Sequence, residues 1–589
     1  MTPPAAAAVK SPPEPITTSP APLKLEATAR ALITGGAIGL VLAAGNVYTA
    51  LKVSIIDGGS ITAALLSFSL FASFRRLGRT PYGALENNIT QTVASSAAVM
   101  SFVTGVVGPF PALTLMGTTF PAWAIVFWGA ALGTLGIFVG TLLRRRLIVE
   151  EKLPFPTGQA TGELIETIYG AHHTAIRRTR LLVAAAVLSA AVTWFRDARP
   201  ALIPQATMLP GVLAGVSLAT LTVGVSWSPL MLSTGAMLGV RMSASMLLGG
   251  VLARLVLAPW LVNTGTLHDA EFGSLNSWMI WPSLGLLIAG SFVPLMLEGG
   301  AVRRSLRDLA SLVRGAGRRP NDGSLSVRMW APLVLASLLI LFVVGGWFLG
   351  MPPSATAIAV VLSLFLANIS ARATGETDWT PAGAVGTVAV VALAGRGTAN
   401  SVLGGSIVLG TSSQVGPTLW AFRAGHHLGA SPRAQVGAQL LGVLLGAVVV
   451  VPVYYLVVGS YGLATEKIPA VAALSFKATA EAVRGGLGAL PPHASSALLV
   501  GVGVGTLLTV LGRGKRGGWW PSPTAMGVAM MMPFSTSFAI ALGAILVLGV
   551  RRGLPAFDEP STVATAAGGI AGESVIGVII AALLAAGAL

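Results

Sequence analysis

The chain has 589 residues, of which 54% are hydrophobic and only 10% are charged. No soluble globular protein of this size has such a composition, so a membrane protein is expected. The absence of cysteine excludes disulfides and thiol chemistry. The net charge of +16 comes mostly from arginines between apolar segments, so it indicates membrane orientation and not a nucleic-acid partner.

Apolar segments recur along the whole chain after a Pro- and Ala-rich tail, residues 1–27, which is predicted to be disordered and cytoplasmic. Eight segments are expected within residues 28–301 and eight within 329–589, on either side of a basic cytoplasmic linker, 302–328. The predicted segments are 30–51, 59–74, 86–109, 122–143, 181–195, 210–225, 229–259 and 278–300, then 329–349, 354–371, 381–396, 400–420, 434–458, 495–512, 522–549 and 562–587. The Gly, Ser and Thr content of 381–396 and 400–420 predicts discontinuous helices there. The predicted fold is therefore an all-α polytopic membrane protein with about sixteen transmembrane helices and with re-entrant or broken segments.

Two short motifs occur in both halves of the chain. Ser226-Trp227-Ser228-Pro229 resembles Trp520-Pro521-Ser522-Pro523, and Ile288-Ala289-Gly290-Ser291 resembles Ile570-Ala571-Gly572-Glu573-Ser574. The polar segment at Glu86 likewise has an acidic counterpart at Glu376. With an even number of helices in each half, the repeats are predicted to be parallel, with the substrate between them.

The distribution of Arg and Lys predicts which loops face the cytoplasm. If the amino terminus is cytoplasmic, the arginines at 144–146, 177–180 and 303–328 all lie inside, as the positive-inside rule requires. The carboxyl terminus is then also cytoplasmic. Arg551 and Arg552 fall outside and are the main exception.

A polar segment interrupts the third apolar stretch. Asn87, Gln91 and Ser95 recur every four residues and share one helix face, with Glu86 at the start and Asn88 beside them. Polar groups are costly in hydrocarbon, so this face should meet protein or water. It is consistent either with hydrogen bonding between helices or with a substrate pathway.

The segment 153–166 carries two prolines and two glycines, which predict irregular backbone over Pro154–Gly162. It is apolar enough to enter the membrane but too short to cross it. A re-entrant loop and a plain cytoplasmic connector are both consistent with this pattern.

The motifs of several enzyme classes are absent. There is no His-Glu-x-x-His zinc motif, no Gly-x-Ser-x-Gly elbow and no complete P-loop. We therefore expect no metal site, no cofactor and no enzymatic activity. The hypotheses that remain besides secondary transport are a membrane-embedded enzyme and a passive channel for small polar solutes.

Several segments together resemble the oligopeptide transporter family, whose relatives include the yellow stripe-like metal-chelate carriers. The matching segments are Asn46–Lys52, Glu86–Ser95, Leu153–Gly158, Thr374–Trp379, Ser412–Gln414 and Gly569–Ser574. The resemblance implies a secondary transporter of about sixteen helices in a membrane, expected here to be the bacterial inner membrane. It implies protons as the driving ion and peptides or metal chelates as substrates; a homodimer is a further expectation.

The chain departs from the family pattern at two places. Ala50 stands where family members often have Gly, and the run from Val415 to His427 lacks the acidic residues that usually follow the Ser-Ser-Gln segment. If those acids contribute to coupling or to recognition of a cation, coupling or substrate differs in this protein.

The candidate site residues fall into three groups. The substrate-binding candidates are Tyr48, Glu86, Asn87, Asn88, Gln91 and Gln414. The proton-coupling candidates are Glu86, Glu163, Glu376, Asp378 and Glu573, since a desolvated carboxylate can load and release a proton. The gating candidates are Pro154, Phe155, Pro156 and Gly158, and Glu376 and Asp378 are expected to approach Glu86 across a cavity.

Overall fold

The structure is a computed structural model that describes residues 26–588, except 57, 76–81, 171, 199–201, 298–326, 379, 487–489, 514–518 and 555–556. Most of the predicted tail and of the predicted basic linker lie outside the described residues. The described chain is almost entirely helical, which agrees with the predicted all-α class.

The helices, in chain order, are α1 (Ala29–Val53), α2 (Ser60–Arg75), α3 (Ala84–Ala98), α4 (Met100–Val103), α5 (Pro109–Leu115), α6 (Ala122–Arg144), α7 (Pro156–Gly170), α8 (His172–Thr193), α9 (Pro229–Val251), α10 (Ala258–Asn263), α11 (Phe272–Leu297), α12 (Val327–Val343), α13 (Pro353–Thr377), α14 (Ala382–Ala392), α15 (Thr398–Leu428), α16 (Pro432–Tyr461), α17 (Val471–Gly485), α18 (Ala494–Gly512), α19 (Pro523–Met530), α20 (Phe534–Gly553) and α21 (Glu559–Ala585). Turns of π-helix extend several of them, at Arg145–Glu150, Trp194–Ala198, Leu252–Leu257 and Val344–Phe348.

Eleven helical stretches of the described residues are long and apolar enough to cross a membrane. They support an integral membrane protein, but the predicted count of about sixteen crossings is not confirmed. Part of the difference lies in α2 and α14, which are apolar but contribute only shorter spans, Ser60–Ala72 and Ala382–Ala392.

The segment 210–225 was predicted to be a helix, and this prediction is wrong. Four short strands lie in and beside this segment: β1 (Ala206–Met208) pairs antiparallel with β4 (Gly224–Ser226), and β2 (Val212–Leu213) with β3 (Val216–Ser217). Gly215, between β2 and β3, has a φ of +87°, which favours glycine and permits the tight turn.

The segment 400–420 was expected to be discontinuous because of its Gly, Ser and Thr content. It instead belongs to α15, one continuous helix of 31 residues. Gly410 shows why small residues are needed there, since a Cβ at this position would lie 2.3 Å from the carbonyl oxygen of Val103. The small residues permit close helix packing and do not break the helix.

The two ends of α1 define two ends of the bundle, which we call the Arg30 end and the Lys52 end. Ser69 of α2 donates to Thr179 of α8 (2.6 Å), and Phe71, two residues later, lies beside the Arg30 guanidinium (5.8 Å). The start of α8 therefore lies at the Arg30 end. Arg178 there binds Asp558 (2.8 Å), which immediately precedes α21.

This contact corrects the predicted orientation of two loops. Arg551 and Arg552 end α20 close to Asp558, so they lie at the same end as Arg178 and not at the opposite one. The described chain begins at the Arg30 end, whereas α21 starts there and runs towards the Lys52 end. The prediction that both termini share the cytoplasmic side is therefore wrong for the two terminal helices.

The repeated Ile-Ala-Gly motif lies on α11 and α21, and these helices run in opposite directions. Near the start of α11, Asn276 donates to the carbonyl of Met531, just before α20 begins (2.9 Å). By contrast, α21 starts where α20 ends. The prediction of parallel repeats is wrong for this pair, because opposite directions are the arrangement of inverted repeats.

The helices form two groups, which we call the first and second packing units. The second unit contains α8 to α11 and α18 to α21, which pack mainly against one another. The first unit contains α1 to α7 and α12 to α17. The units meet mainly where α1 and α16 contact α21.

Candidate functional site

The polar segment of α3 is completely enclosed by protein. The side chains of Asn87, Asn88 and Gln91 have no solvent exposure. Asn87 donates to the carbonyl of Ala64 (3.1 Å), and Gln91 donates to Asn88 Oδ1 (3.0 Å). The structure gives no partner to Asn88 Nδ2 or Gln91 Oε1. Buried polar atoms without partners are costly, so they are candidate ligand-binding groups.

A second set of carboxamides, on α15 and α16, lies beside Ser96, further along α3. Gln414 of α15 donates to Ser96 Oγ (3.0 Å), and Ser96 donates to the carbonyl of Gln439 on α16 (2.9 Å). The Gln414 Oε1 atom and both polar atoms of the Gln439 side chain have no partner in the structure. We call Asn88, Gln91, Gln414 and Gln439 the carboxamide cluster.

The carboxamide cluster brings together the two halves of the sequence within the first packing unit. Its predicted members are Asn88, Gln91 and Gln414. The fourth member, Gln439, was not predicted, and neither was Ser96, which links Gln414 to the backbone of Gln439. The signal for Gln439 was available, because Gln435 and Gln439 lie four residues apart in an otherwise apolar segment.

Glu86 has a different environment from the one predicted. Arg30 binds both of its oxygens (Nε–Oε1 2.7 Å, Nη2–Oε2 2.6 Å), Thr28 donates to Oε1 (2.6 Å), and the backbone N–H of Gly83 donates to Oε2 (2.9 Å). The last contact is half of a capping box at the start of α3. Among the described contacts, Asp378 accepts from Thr157 and Glu376 lies 3.6 Å from Arg372, and their approach to Glu86 remains a prediction.

The segment at Pro154 is regular helix from Pro156 onward, so the prediction of irregular backbone to Gly162 is wrong there. Pro is tolerated at the first position of a helix, where its missing N–H is not needed. Asp378 accepts hydrogen bonds from the backbone N–H and the hydroxyl of Thr157 (3.0 and 2.6 Å) and thereby caps α7 from α13.

Two further contacts hold α7 in place. The backbone N–H of Phe155 donates to the carbonyl of Gly375 (3.0 Å), and the Phe155 ring is buried. At Gly158 a Cβ would lie 2.5 Å from the carbonyl oxygen of Trp420 on α15. The helix α7 is therefore seated closely on α15.

The carboxylates around α7 are partly exposed; Glu151 and Glu163 lie outside the candidate membrane spans, and Glu376 is the last residue of one. Glu163 accepts from Gln159 (2.8 Å), and Glu376 lies 3.6 Å from Arg372. Arg372 binds both oxygens of Glu151 (2.7 and 2.9 Å), and these hydrogen bonds are the main cause that lowers the pKa of Glu151 to about 2.

Glu573 on α21 is the centre of a buried charge network. Its side chain has no solvent exposure, and its Oε1 atom contacts Lys52 of α1 (2.8 Å) and Arg196 after α8 (3.1 Å). Arg196 also binds the adjacent Asp197 (2.7 Å). These two cations and two anions balance one another, which fits the rule that buried charges occur in pairs.

Two groups at the start of α9 complete the coordination of Glu573. The Ser228 hydroxyl lies 2.9 and 2.8 Å from the two carboxylate oxygens, and the backbone N–H of Leu230 donates to Oε2 (2.9 Å). Gly239, with φ 78° and ψ 173°, breaks α9 soon afterwards. Glu573 is therefore bound at the amino terminus of a short helical segment, where the peptide dipoles favour an anion.

The first packing unit contacts this network through α1 and α16. Lys52 lies 3.4 Å from the hydroxyl of Tyr48, and the rings of Tyr48 and Tyr461 pack edge to face with centroids 6.0 Å apart. Tyr461 donates to the carbonyl of Gly577 (3.0 Å), and Thr49 shares a hydrogen bond with Ser574 (2.5 Å). Tyr48, predicted to bind substrate, thus lies at the contact between the units.

Sequence reasoning selected Glu573 and Tyr48 but missed Lys52, Arg196, Asp197 and Ser228. The signal for Ser228 was its place in the repeated Ser-Pro motif, where both Ser228 and Ser522 cap a helix. Arg196 and Asp197 were visible as charges at the end of an apolar segment. No group of three His, Asp or Glu side chains in the described ranges has a geometry that could hold a metal ion.

Comparison with known proteins gives consistent results over nearly the whole chain. A family model described as "OPT oligopeptide transporter protein" matches residues 26–584. The chain is 25% identical to the "Putative oligopeptide transporter" of Haemophilus influenzae over 92% of each chain. It is 26% identical to the "Putative oligopeptide transporter YGL114W" of Saccharomyces cerevisiae (72% of this chain, 76% of the relative), and 22% identical to the "Metal-nicotianamine transporter YSL2" of Arabidopsis thaliana (90% and 89%).

Proposed function

Because the chain belongs to the oligopeptide transporter family, and is thus a membrane transporter and not an enzyme, we propose that it is a proton-coupled secondary transporter. Short peptides and metal chelates are the proposed substrate classes, in line with the names of its relatives. The conclusion depends mainly on one observation, the fully buried Glu573 with a cation from each packing unit.

While the units are joined, Lys52, Arg196 and the start of α9 favour the ionised form of Glu573, so a proton would load on it when Lys52 withdraws. An ionisable group inside a membrane bundle is costly and is retained mainly at functional sites. Neutralising Glu573 removes the charge that attracts Lys52, and with it the ion pair that joins α1 to α21. Protonation would therefore favour separation of the two packing units. The described contacts of Glu86, Glu163 and Asp378 lie within the first packing unit.

The carboxamide cluster is the proposed substrate-binding region within the first packing unit. Its unpartnered atoms include amide donors and carbonyl acceptors, which complement the N–H and C=O groups of a peptide backbone. We propose that α7 acts as a gate at the Arg30 end. Pro156 is compatible with the abrupt start of this helix, and Gly158 allows the helix to lie directly on α15.

The proposed orientation puts the Arg30 end in the cytoplasm of a bacterial cell. Arg178, Arg551 and Arg552 belong to that end. Arg144 lies over Phe422 near the end of α15, and the backbone N–H of Ser431 just after α15 donates to Glu26 beside the start of α1, so this arginine lies there too. The arrangement satisfies the positive-inside rule. Moving Arg551 and Arg552 to this side removes the main exception in the charge pattern.

Uptake into proteoliposomes with an imposed proton gradient tests this function. We expect wild-type protein to accumulate a labelled tripeptide or iron chelate and to lose accumulation when an uncoupler is added. Accumulation that an uncoupler does not change would contradict proton coupling, and equilibration without accumulation would indicate a channel.

The variant Glu573→Gln tests the coupling residue. A permanently neutral group cannot carry the proton, so we expect loss of accumulation but preserved exchange of substrate across the membrane. Glu559→Gln is the matched control, because Glu559 lies on the same helix with its side chain 77% exposed. Normal accumulation by Glu573→Gln would eliminate Glu573 as the coupling residue.

A further inference from the structure

The ion pair between Lys52 and Glu573 joins the two packing units, but its two members are unequally supported. Within its own unit Glu573 keeps three partners, Arg196, Ser228 and the backbone N–H of Leu230. If the units separate, the carboxylate therefore remains compensated. Glu573 can lose Lys52 without becoming an isolated buried charge.

Lys52 has no comparable support on the first unit. Its described contacts there are the hydroxyl of Tyr48 at 3.4 Å and the face of the same ring at 5.3 Å. A further charge on this side is another cation, Lys467, which lies over the Tyr461 ring at 5.0 Å. Separation would leave an ammonium group with no anion from its own unit among its described contacts.

We propose that Lys52 exchanges Glu573 for a carboxylate of the transported substrate when the packing units separate. A buried ammonium needs an anionic partner, and a substrate carboxylate entering between Tyr48 and Tyr461 supplies one. The free carboxyl terminus of a short peptide is the ligand group of this class. The inference deepens the proposed function and depends on it for the peptide class.

The exchange explains how binding is converted into movement. Substrate that carries a carboxylate stabilises the separated state through Lys52, whereas substrate without it does not. A ligand shifts a conformational equilibrium only by its differential affinity for the two states, and Lys52 provides that difference. Lys52 thereby determines the specificity for substrates that carry a carboxylate. Its change of partner also opens the contact between Thr49 and Ser574.

Binding of trialanine and of trialanine amide to detergent-purified protein tests the proposal without any proton gradient. Ligand-induced thermal stabilisation measures the affinity. We expect wild type to bind trialanine at least about tenfold more tightly than the amide, because only the carboxylate can form a charge-assisted hydrogen bond with Lys52. Lys52→Gln should bind both peptides equally, and Lys52→Arg should retain the preference.

The control variant is Lys477→Gln, which removes a lysine on α17 that pairs only weakly with Glu481 (3.9 Å) and should leave the preference unchanged. Equal affinity of wild type for the two peptides, or a preference that survives in Lys52→Gln, overturns the proposal. Absence of binding by either peptide also rejects it. Failure of proton coupling in proteoliposomes does not alter these binding results, so the two proposals fail separately.

Disulfide trapping measures the separation itself, because the chain has no native cysteine. In the double variant Thr49→Cys/Ser574→Cys we expect trialanine to slow oxidative cross-linking several-fold, and the amide to have no effect. The pair Thr374→Cys/Thr380→Cys, whose hydroxyls lie 2.8 Å apart within the first unit, should be unaffected by either peptide. Unchanged cross-linking between positions 49 and 574 would show that the carboxylate does not open the contact.

Discussion

Glu86 and Glu573 are two buried glutamates with nearly the same local chemistry. Each forms an ion pair with a basic side chain of α1. Each also accepts one hydrogen bond from a backbone N–H at the start of a helix and one from a hydroxyl group. They differ in place. The contacts of Glu86 lie within one packing unit at one end of the bundle, whereas Glu573 binds cations from both units in its interior.

The difference teaches that the role of a buried carboxylate is indicated less by its burial than by whether its partners belong to one packing unit or to both. Arg30 and Glu86 move together in any motion of the two units, so their pair fixes the start of α3. Lys52 and Glu573 lie on opposite sides of the contact between the units, so any relative motion of the units changes their distance. The following predictions, from the largest expected effect to the smallest, test this distinction.

Arg196→Met should have the largest effect on stability. Arg196 compensates both Asp197 and Glu573, so its removal leaves an uncompensated buried charge at a cost of about 3–5 kcal/mol. We expect a large drop in the thermal unfolding midpoint in detergent. Lys52→Met is the control and should cost clearly less, because Arg196 still binds Glu573. Equal losses in the two variants would contradict the unequal support of Glu573.

Glu86→Gln should destabilise the protein moderately and leave accumulation intact. The variant loses the charge that binds Arg30, at about 1–2 kcal/mol, but glutamine still accepts the capping hydrogen bond from Gly83. Thermal unfolding and uptake against a gradient measure the two effects. Loss of accumulation at normal expression would make Glu86 a coupling residue, and the contrast with Glu573 would then fail.

Arg30→Lys should cost about 1 kcal/mol, because lysine cannot reproduce the two parallel hydrogen bonds to Glu86. The reciprocal change, Lys52→Arg, replaces a single contact and should preserve stability. Thermal unfolding of the two variants measures this difference. A larger loss for Lys52→Arg would show that the Lys52 site is the more rigid of the two.

Asp558→Asn should have the smallest effect, because the Asp558 side chain is 47% exposed and solvent screening of its pair with Arg178 keeps the loss below about 1 kcal/mol. Burial opposes ionisation there, but hydrogen bonds from Ser561 and Arg178 outweigh it and lower the pKa of Asp558 to about 2. The stabilisation is present above the unfolded pKa of about 4 and is lost as the pH falls towards about 2. The difference between the unfolding midpoints of wild type and variant should therefore be the same at pH 7 and pH 5 and should shrink towards zero near pH 2. A difference that has already vanished at pH 5 would contradict the lowered pKa.

The helical class of the fold follows from the length of the apolar segments. The positions of helix breaks and of membrane crossings do not follow from it. Composition predicted a polytopic helical membrane protein, because 20 apolar residues in a membrane have few alternatives to a helix. The same reasoning failed at 210–225, where turn glycines permit β-hairpins. It also failed at α15, where the small residues permit close packing with no break in the helix.

The sequence identified Glu573 as a candidate in the buried charge network but did not identify its partner Lys52. Glu573 was selected as an acid in an apolar segment, but nothing in the sequence pairs it with Lys52, which lies 521 residues away. The sequence also did not reveal the direction in which the last helices run. Its charge pattern placed Arg551 at the end opposite to Arg178, and only the contact between Arg178 and Asp558 shows that they share one end. Long-range contacts such as these depend on the packing of whole helices.

The division of Lys52 and Glu573 between two packing units also has an electrical consequence. Any motion that separates an ammonium from a carboxylate inside the bilayer displaces charge along the membrane field. Moving one elementary charge fully across is worth about 2.3 kcal/mol per 100 mV, so a displacement over a fifth of the thickness is worth about 0.5 kcal/mol. The resting potential of the cell therefore acts directly on the balance between the joined and the separated state, and a voltage step should produce a transient gating current even in the absence of net transport.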